Sequence, residues 1–329
     1  MNPFLNRTIK NLGLCLALAL LPTALWAAEP VAVVFMPQWT PQSQFAGYYL
    51  ALEKGFYDDE GINVIIRHTT VSSVKSPSDE LVEGEVQIAG LQLMQALEQR
   101  AQGKPLVNVL QTSQRCGLVC VGQGPIRRLE DMDSLRIGRW KVGHAEIAHI
   151  VEVEKQLDID WVYFYTGTNL FVYKAIDACL CYTYNELLQL RFALGEIPEE
   201  NILHFADYGY NYPEDGLYVT EDYYARHRDE IAKFVRASKR GWEYAHAHPD
   251  EALELSMKYV DRFKIQTNRY HQKMMLEEVL RNQLEPGDEM PAFRPVDRGI
   301  YGEMCEKLLQ NGFLAEKVPY DQMIKNSEN

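Results

Sequence analysis

WTPQSQFAGYYLALEKGFYDDEG, residues 39–61, lies between two short apolar runs, Val31–Met36 (VAVVFM) and Ile62–Ile66 (INVII). Both runs read as buried strands. Between them, Phe45–Leu52 (FAGYYLAL) starts a helix that Glu53-Lys54-Gly55 ends, Gly55 supplying the left-handed stop. The alternation continues with a helix over 76–83, a strand at Val86–Ala89, a helix over 94–101 and a strand at Leu106–Leu110. Strands and helices in alternation predict a mostly parallel sheet with helices on both faces.

A second alternation begins near Gly117–Gly122 (GLVCVG). Its further strands are 135–138, 161–165 and 177–182, separated by helices over 145–156 and 168–175. Asn201–Asp207 then leads into Tyr208-Gly209-Tyr210, and Gly216–Thr220 (GLYVT) reads as a strand returning to the first alternation. The remainder is helical. Ile231, Phe234, Val235, Ala237 and Trp242 form a one-face stripe of a long helix over 229–246, most simply core. The expected fold class is therefore α/β with two lobes, and a chain of 329 residues has room for both.

Residues 1–27 read as a secretory signal. Arg7 and Lys10 give the positive flank, Leu12–Leu21 the apolar stretch, and Ala27 or Ala28 a small residue at the cut. Its removal leaves 31 basic against 46 acidic residues, a net charge of −15. Nucleic-acid binding needs a cationic face, so that class is excluded as an expectation. The expected product is a soluble, monomeric protein of the periplasm.

Catalytic signatures are scarce: the sequence holds no Gly-x-Ser-x-Gly, phosphate-cradling Gly-x-x-x-x-Gly-Lys, His-Glu-x-x-His or Gly-x-Gly-x-x-Gly. Binding without catalysis, cofactor or metal is the expectation. Nineteen tyrosines exceed twelve phenylalanines, and several fall at strand ends and turns. A flat apolar face with a polar tip suits a planar ring held between aromatics. Taken singly, each tyrosine is more simply the wet rim of a core. The segment Asp177–Glu186 carries the sharpest polar signal, presenting Tyr182, Tyr184, Asn185 and Glu186 within five positions. A carboxylate accepts two hydrogen bonds side by side and suits an aminopyrimidine edge. The competing reading is that Asn185 and Glu186 cap the following helix. Cys116/Cys120 and Cys179/Cys181 admit a disulfide between the clusters, free thiols, or a weak thiolate metal site, with Cys305 alone.

Residues 39–61, with Glu83–Gly90, Ala101–Pro105, Ile176–Ala178, Tyr184–Glu186, Asp207–Gly209 and Gly241–Ala252, make the chain similar to a known superfamily. It resembles periplasmic solute-binding proteins of the thiamine pyrimidine synthase-like group, which includes thiamine-precursor binders and lies close to sulfonate and taurine binders. The resemblance implies a bilobal type II periplasmic-binding-protein fold that closes on its ligand, with crossings near Thr112–Cys116 and Ala206–Gly209. Lobe 1 would comprise 28–114 and 209–329, and lobe 2 would comprise 115–208. Trp39 and a cleft tyrosine would sandwich the ring and Glu186 would bind its polar edge. The candidate ligand contacts are Trp39, Gln42, Gln44, Tyr48, Gln92, Tyr182, Tyr184, Asn185, Glu186, Tyr208 and Tyr210. The expected ligand is a thiamine-related pyrimidine handed to an ABC-type permease; a membrane sensor partner or a sulfonate ligand, the latter with Arg115 or Lys141, are the alternatives. The chain departs from the group's pyrimidine binders at Gln42 and Phe45. It departs from its synthases at Leu91 and Gln95, which stand where a cofactor lysine and a consumed histidine would be.

Overall fold

The computed structural model describes residues 31–70, 73, 75–141, 146–164 and 167–325. The signal-like segment lies outside the described residues. Ten strands form two five-stranded sheets. In chain order they are β1 (Val31–Met36), β2 (Ile62–Ile66), β3 (Ile88–Gln92), β4 (Leu106–Gln111), β5 (Leu118–Gly122), β6 (Arg136–Trp140), β7 (Asp160–Phe164), β8 (Ala178–Tyr182), β9 (Ile202–His204) and β10 (Asp215–Thr220). The first sheet has the order β2-β1-β3-β10-β4 and the second β7-β6-β8-β5-β9. Each is parallel except for one strand. β10 runs antiparallel between β3 and β4, and β5 runs antiparallel between β8 and β9. Those are the strands on which the chain enters each sheet after leaving the other, so the two-lobed α/β reading holds.

Burial explains the sequence pattern. The interior strands β3, β5 and β8 are buried at every position, and so is the edge strand β4, which a bridge from Asn108 to Ile324 covers, whereas the opposite edge strand β2 alternates. The predicted helix stop at Gly55 is observed at φ +73°. β3 starts two residues later than the sequence suggested and runs through Gln92, which carries that side chain to the end of the strand. The expected helix over 168–175 shrinks to Asn169–Val172, and an unforeseen helix, Glu221–Arg226, follows β10.

The long helix Arg228–Ala247 buries the predicted stripe, with Ile231, Phe234, Val235 and Ala237 fully enclosed. It crosses the helix Ala46–Glu53 at a glycine pair. A Cβ on Gly241 would sit 2.1 Å from the Gly47 carbonyl oxygen, and one on Gly47 would sit 2.1 Å from Trp242 Cδ2. Only glycine allows that approach, and the approach brings Trp242 up against the residues that follow β1.

The five cysteines among the described residues are free and buried. Strand alternation prevents a bridge from Cys120 to Cys179 or Cys181, the disulfide reading left open above. Cys120 pairs with Leu180, while Cys179 and Cys181 lie opposite Val121 and Val119. Cys179 and Cys181 therefore join a second apolar cluster, with Phe171 and Leu187, on the other face of the sheet from Cys120. Among the described residues no group of three His, Cys, Asp or Glu side chains could hold a metal ion.

Candidate functional site

The two sheets meet along a cleft whose sides touch at several places, Lys307 with Glu154 and His149 with Phe313 among them. Gln92 at the end of β3 and the Tyr182 hydroxyl at the end of β8 hydrogen-bond at 3.1 Å. The Gly117 N–H donates to Glu214 Oε1 at 2.7 Å. His271 Nε2 lies 3.2 Å from Asn185 Oδ1. The Trp39 indole meets Trp140 edge-on, with ring centroids 5.9 Å apart. Trp39 is held from behind by His68, whose Nδ1 lies 3.0 Å from the Trp39 carbonyl oxygen and whose Nε2 lies 3.0 Å from the Tyr49 hydroxyl. A carbonyl can only accept, so Nδ1 carries the proton and Nε2 accepts from Tyr49. Burial lowers His68 to about 4, which keeps the ring neutral.

Inside the cleft is a small cavity of about 20 Å³. Gln44 and Tyr48 reach it from the segment after β1, Tyr184 from the turn after β8, Glu214 and Asp215 from the return crossing, and Trp242 and Asn282 from two helices. Its electrostatics are unusual. Burial pushes the Glu214 carboxyl up to about 8, with the charge of Asp215 adding to the rise and the Gly117 N–H opposing it. Burial raises Asp215 to about 6 against the pull of the Gln44 amide, which donates to Asp215 Oδ2 at 2.7 Å. No lysine or arginine lines this cavity among the described residues.

Four polar atoms of its lining are buried without a hydrogen-bond partner: Gln38 Nε2, Asp215 Oδ1, Trp242 Nε1 and Asn282 Nδ2. Buried donors and acceptors are paired in the great majority of cases, and each orphan costs roughly 1–3 kcal/mol. Three are donors and one an acceptor, with the Gln38 amide beside Asp215 and the Trp242 indole beside the Tyr48 hydroxyl. A volume of about 20 Å³ is too small for a ring as it stands.

The sequence-predicted residues fall into three groups. Gln44, Tyr48 and Tyr184 line this cavity, with Gln42 behind them donating to Gln44 Oε1 at 2.6 Å. Gln92 and Tyr182 line a neighbouring hollow that also touches Glu214. Tyr182 and Tyr184 stack at 5.1 Å and 22°. Trp39 stands on the rim, 36% exposed, against Trp140 rather than over the cavity. Glu186 is buried and turned back on its own strand: its carboxylate accepts from the Tyr182 N–H at 3.0 Å and the Asn185 amide at 2.8 Å. It starts the helix Glu186–Leu194, where Asn185 stands at the N-cap position without a side-chain capping hydrogen bond, so the capping reading is met only in position. Tyr208 and Tyr210 are engaged elsewhere. The Tyr208 hydroxyl donates to the Arg127 carbonyl at 2.6 Å, and the Tyr210 hydroxyl donates to Glu154 at 2.7 Å.

Sequence reasoning passed over Glu214, Asp215, Trp242 and Asn282. Trp242 sat in a helical stripe and read as core, which by burial it is, and it also lines the cavity. The Glu214-Asp215 pair was the one available signal, two adjacent carboxylates leading into a buried strand.

Comparisons with known proteins agree with this architecture. The family described as NMT1/THI5 like matches residues 42–252. The riboflavin-binding protein RibY of Chloroflexus aurantiacus is 29% identical over 252 residues, covering 73% of this chain and 70% of that protein. A binding protein of Bacillus subtilis, YtlA, is 20% identical, covering 92% of this chain and 99% of its own. Among solved structures, the periplasmic aliphatic sulphonate binding protein SsuA of Escherichia coli superposes with a TM-score of 0.67 at 13% identity, covering 90% of this chain and 92% of its own. The matched span and the two-sheet fold together place this chain in the NMT1/THI5-like family, built on the periplasmic-binding-protein fold.

Proposed function

We propose that this protein is the exported solute-binding component of an ABC-type import system, and that it closes its two lobes on a small planar heterocycle. The observation that carries this reading is the set of four unpartnered buried polar atoms around an aromatic, carboxylate-bearing cavity. Asp215 Oδ1 would accept from a ring N–H or amino group, while Asn282 Nδ2 and Trp242 Nε1 would donate to ring nitrogens or carbonyls. Tyr48 and Tyr184 offer ring faces. A thiamine-related pyrimidine meets these requirements, and so does the pyrimidine-dione edge of a flavin, the ligand class in the name of RibY. A sulfonate meets them poorly, since Glu214 and Asp215 line the cavity without a cation.

In this reading the lobes are 28–114 with 209–329, and 115–208, joined by the chain near 112–116 and 206–209. Ligand touching both would favour the closed state through differential affinity. Residues 1–27 supply the export signal in this reading, and delivery is to a membrane permease. No helix of the described residues is long and apolar enough to cross a membrane.

The test is a thermal-shift panel on the chain lacking residues 1–27, using 4-amino-5-hydroxymethyl-2-methylpyrimidine, riboflavin and a short alkanesulfonate. The expected result is stabilisation by a ring compound and none by the sulfonate. Stabilisation by the sulfonate alone would overturn the reading.

A further inference from the structure

The inner cavity is the first of three hollows strung along the boundary between the sheets. The second shares Glu214 with the first and is spanned by the Gln92–Tyr182 hydrogen bond. The third shares Glu146 with the second and is far larger, about 550 Å³. Its walls come from both halves of the molecule. Glu98 and Gln99 face it from the helix Leu93–Ala101 beside the first sheet, and Arg139, Trp161 and Tyr163 from β6 and β7 of the second. That volume falls within the range of small-molecule sites, roughly 300–1,000 Å³.

This outer groove is chemically unfinished. Glu98 Oε1 and Gln99 Oε1 are buried acceptors with no partner. The Arg139 guanidinium lies over the rings of Trp161 and Tyr163, at 5.3 and 5.1 Å from their centroids, and its Nε is also unpartnered. Glu152 is engaged by the Trp161 indole N–H at 2.9 Å and by His149. Glu146 and Glu152 outnumber Arg139, so an anionic group would be repelled. The orphan oxygens of the neighbouring residues Glu98 and Gln99 call for a donor.

Resting on the planar-ring reading of the inner cavity, we propose that the ligand has two parts: a flat heterocycle for the inner hollow and a flexible, donor-rich, non-anionic substituent, hydroxyls or a cationic group, lying in the outer groove against Glu98 and Gln99. The Gln92–Tyr182 pair is the neck that must part to let the substituent through. Burial and the charge of Glu146 push the Glu98 carboxyl up to about 8, a repulsion that a donor or positive charge at that position relieves.

Calorimetric titration of the chain lacking residues 1–27 tests this with matched compounds. Lumiflavin, riboflavin and flavin mononucleotide share a ring and carry no tail, a polyol tail and a phosphorylated tail. The aminopyrimidine and thiamine differ by a cationic ring, which separates the two kinds of substituent. Whichever ring binds, the tailed form should bind at least about tenfold tighter than the ring alone, and the phosphorylated tail should lose that gain. The double variant Glu98→Ala/Gln99→Ala should abolish the tail's advantage and leave ring-only affinity within about twofold; Glu98→Gln, which keeps the side chain's shape, guards against misfolding. Equal affinity for ring and tailed ring, or equal weakening of both in the double variant, would overturn the proposal while sparing the inner site. Failure of every ring compound to bind would overturn both.

Discussion

The Gln44 amide and the Asp215 carboxylate are joined by a 2.7 Å hydrogen bond that ties the first turn after β1 to the strand on which the chain returns from the second sheet. The bond uses one oxygen of Asp215 and leaves Oδ1 facing the cavity without a partner. One side of the carboxylate is thereby fixed and the other is presented. Gln44→Ala removes the fixed side. Unfolding in urea should then show a loss of about 1–3 kcal/mol, the cost of an unsatisfied buried acceptor. A change under about 0.5 kcal/mol would mean that Asp215 is not held in this way.

The glycine crossing makes a steric prediction. Gly47→Ala would place a methyl group 2.1 Å from Trp242 Cδ2, and the indole is enclosed and cannot swing clear. Overpacking of this kind costs about 1–3 kcal/mol. The melting temperature should fall, and ligand affinity should fall with it because Trp242 lines the cavity. Wild-type melting in Gly47→Ala would contradict the packing described.

Glu214 gives a pH dependence whose sign is fixed by linkage. Its carboxyl rises from an ordinary 4.5 to about 8, and that of Asp215 rises from 3.8 to about 6. The native chain therefore holds more protons than the unfolded chain within that window, so stability falls as pH rises through it. Each such proton contributes up to ~1.4 kcal/mol per pH unit. Urea midpoints should decline between about pH 5 and about pH 8, and Glu214→Gln, which can still accept from the Gly117 N–H, should flatten the decline. A slope unaltered by Glu214→Gln would assign the titration to other groups.

Much of the fold was legible because it rests on local rules. Apolar runs such as VAVVFM and INVII became β1 and β2 at the expected bounds, and Gly55 ended its helix where a left-handed residue was required. The site was less legible because it is assembled from segments far apart in the chain. Glu186 carried a ligand-like pattern, yet the N–H of Tyr182 and the amide of Asn185 were nearer partners than any ring. Trp242 carried a core-like pattern, and one polar atom on it decides its interest. Tyrosines at turns were equally ambiguous: Tyr184 turned to the cleft, while Tyr208 found the Arg127 carbonyl. No spacing rule separates those outcomes, because each depends on which backbone or side-chain group packs against the turn.

The cysteines can be tested by thiol titration. Free, buried Cys116, Cys120, Cys179, Cys181 and Cys305 should react fully with a thiol reagent in denaturant without reductant, and hardly at all in the native protein. Burial pushes the Cys116, Cys120 and Cys181 thiols up, which further slows any native reaction. Only three reactive thiols after unfolding would reveal a bridge.

The most direct measurement is calorimetric titration of the best-binding ring compound into the wild type and into Asp215→Asn and Trp242→Phe. Replacing Asp215 Oδ1 with an amide, or deleting the indole N–H, should weaken binding by about tenfold or more in each variant, the worth of a hydrogen bond to a buried partner. Undiminished affinity in both variants would contradict the claim that these two side chains read the edge of the ligand.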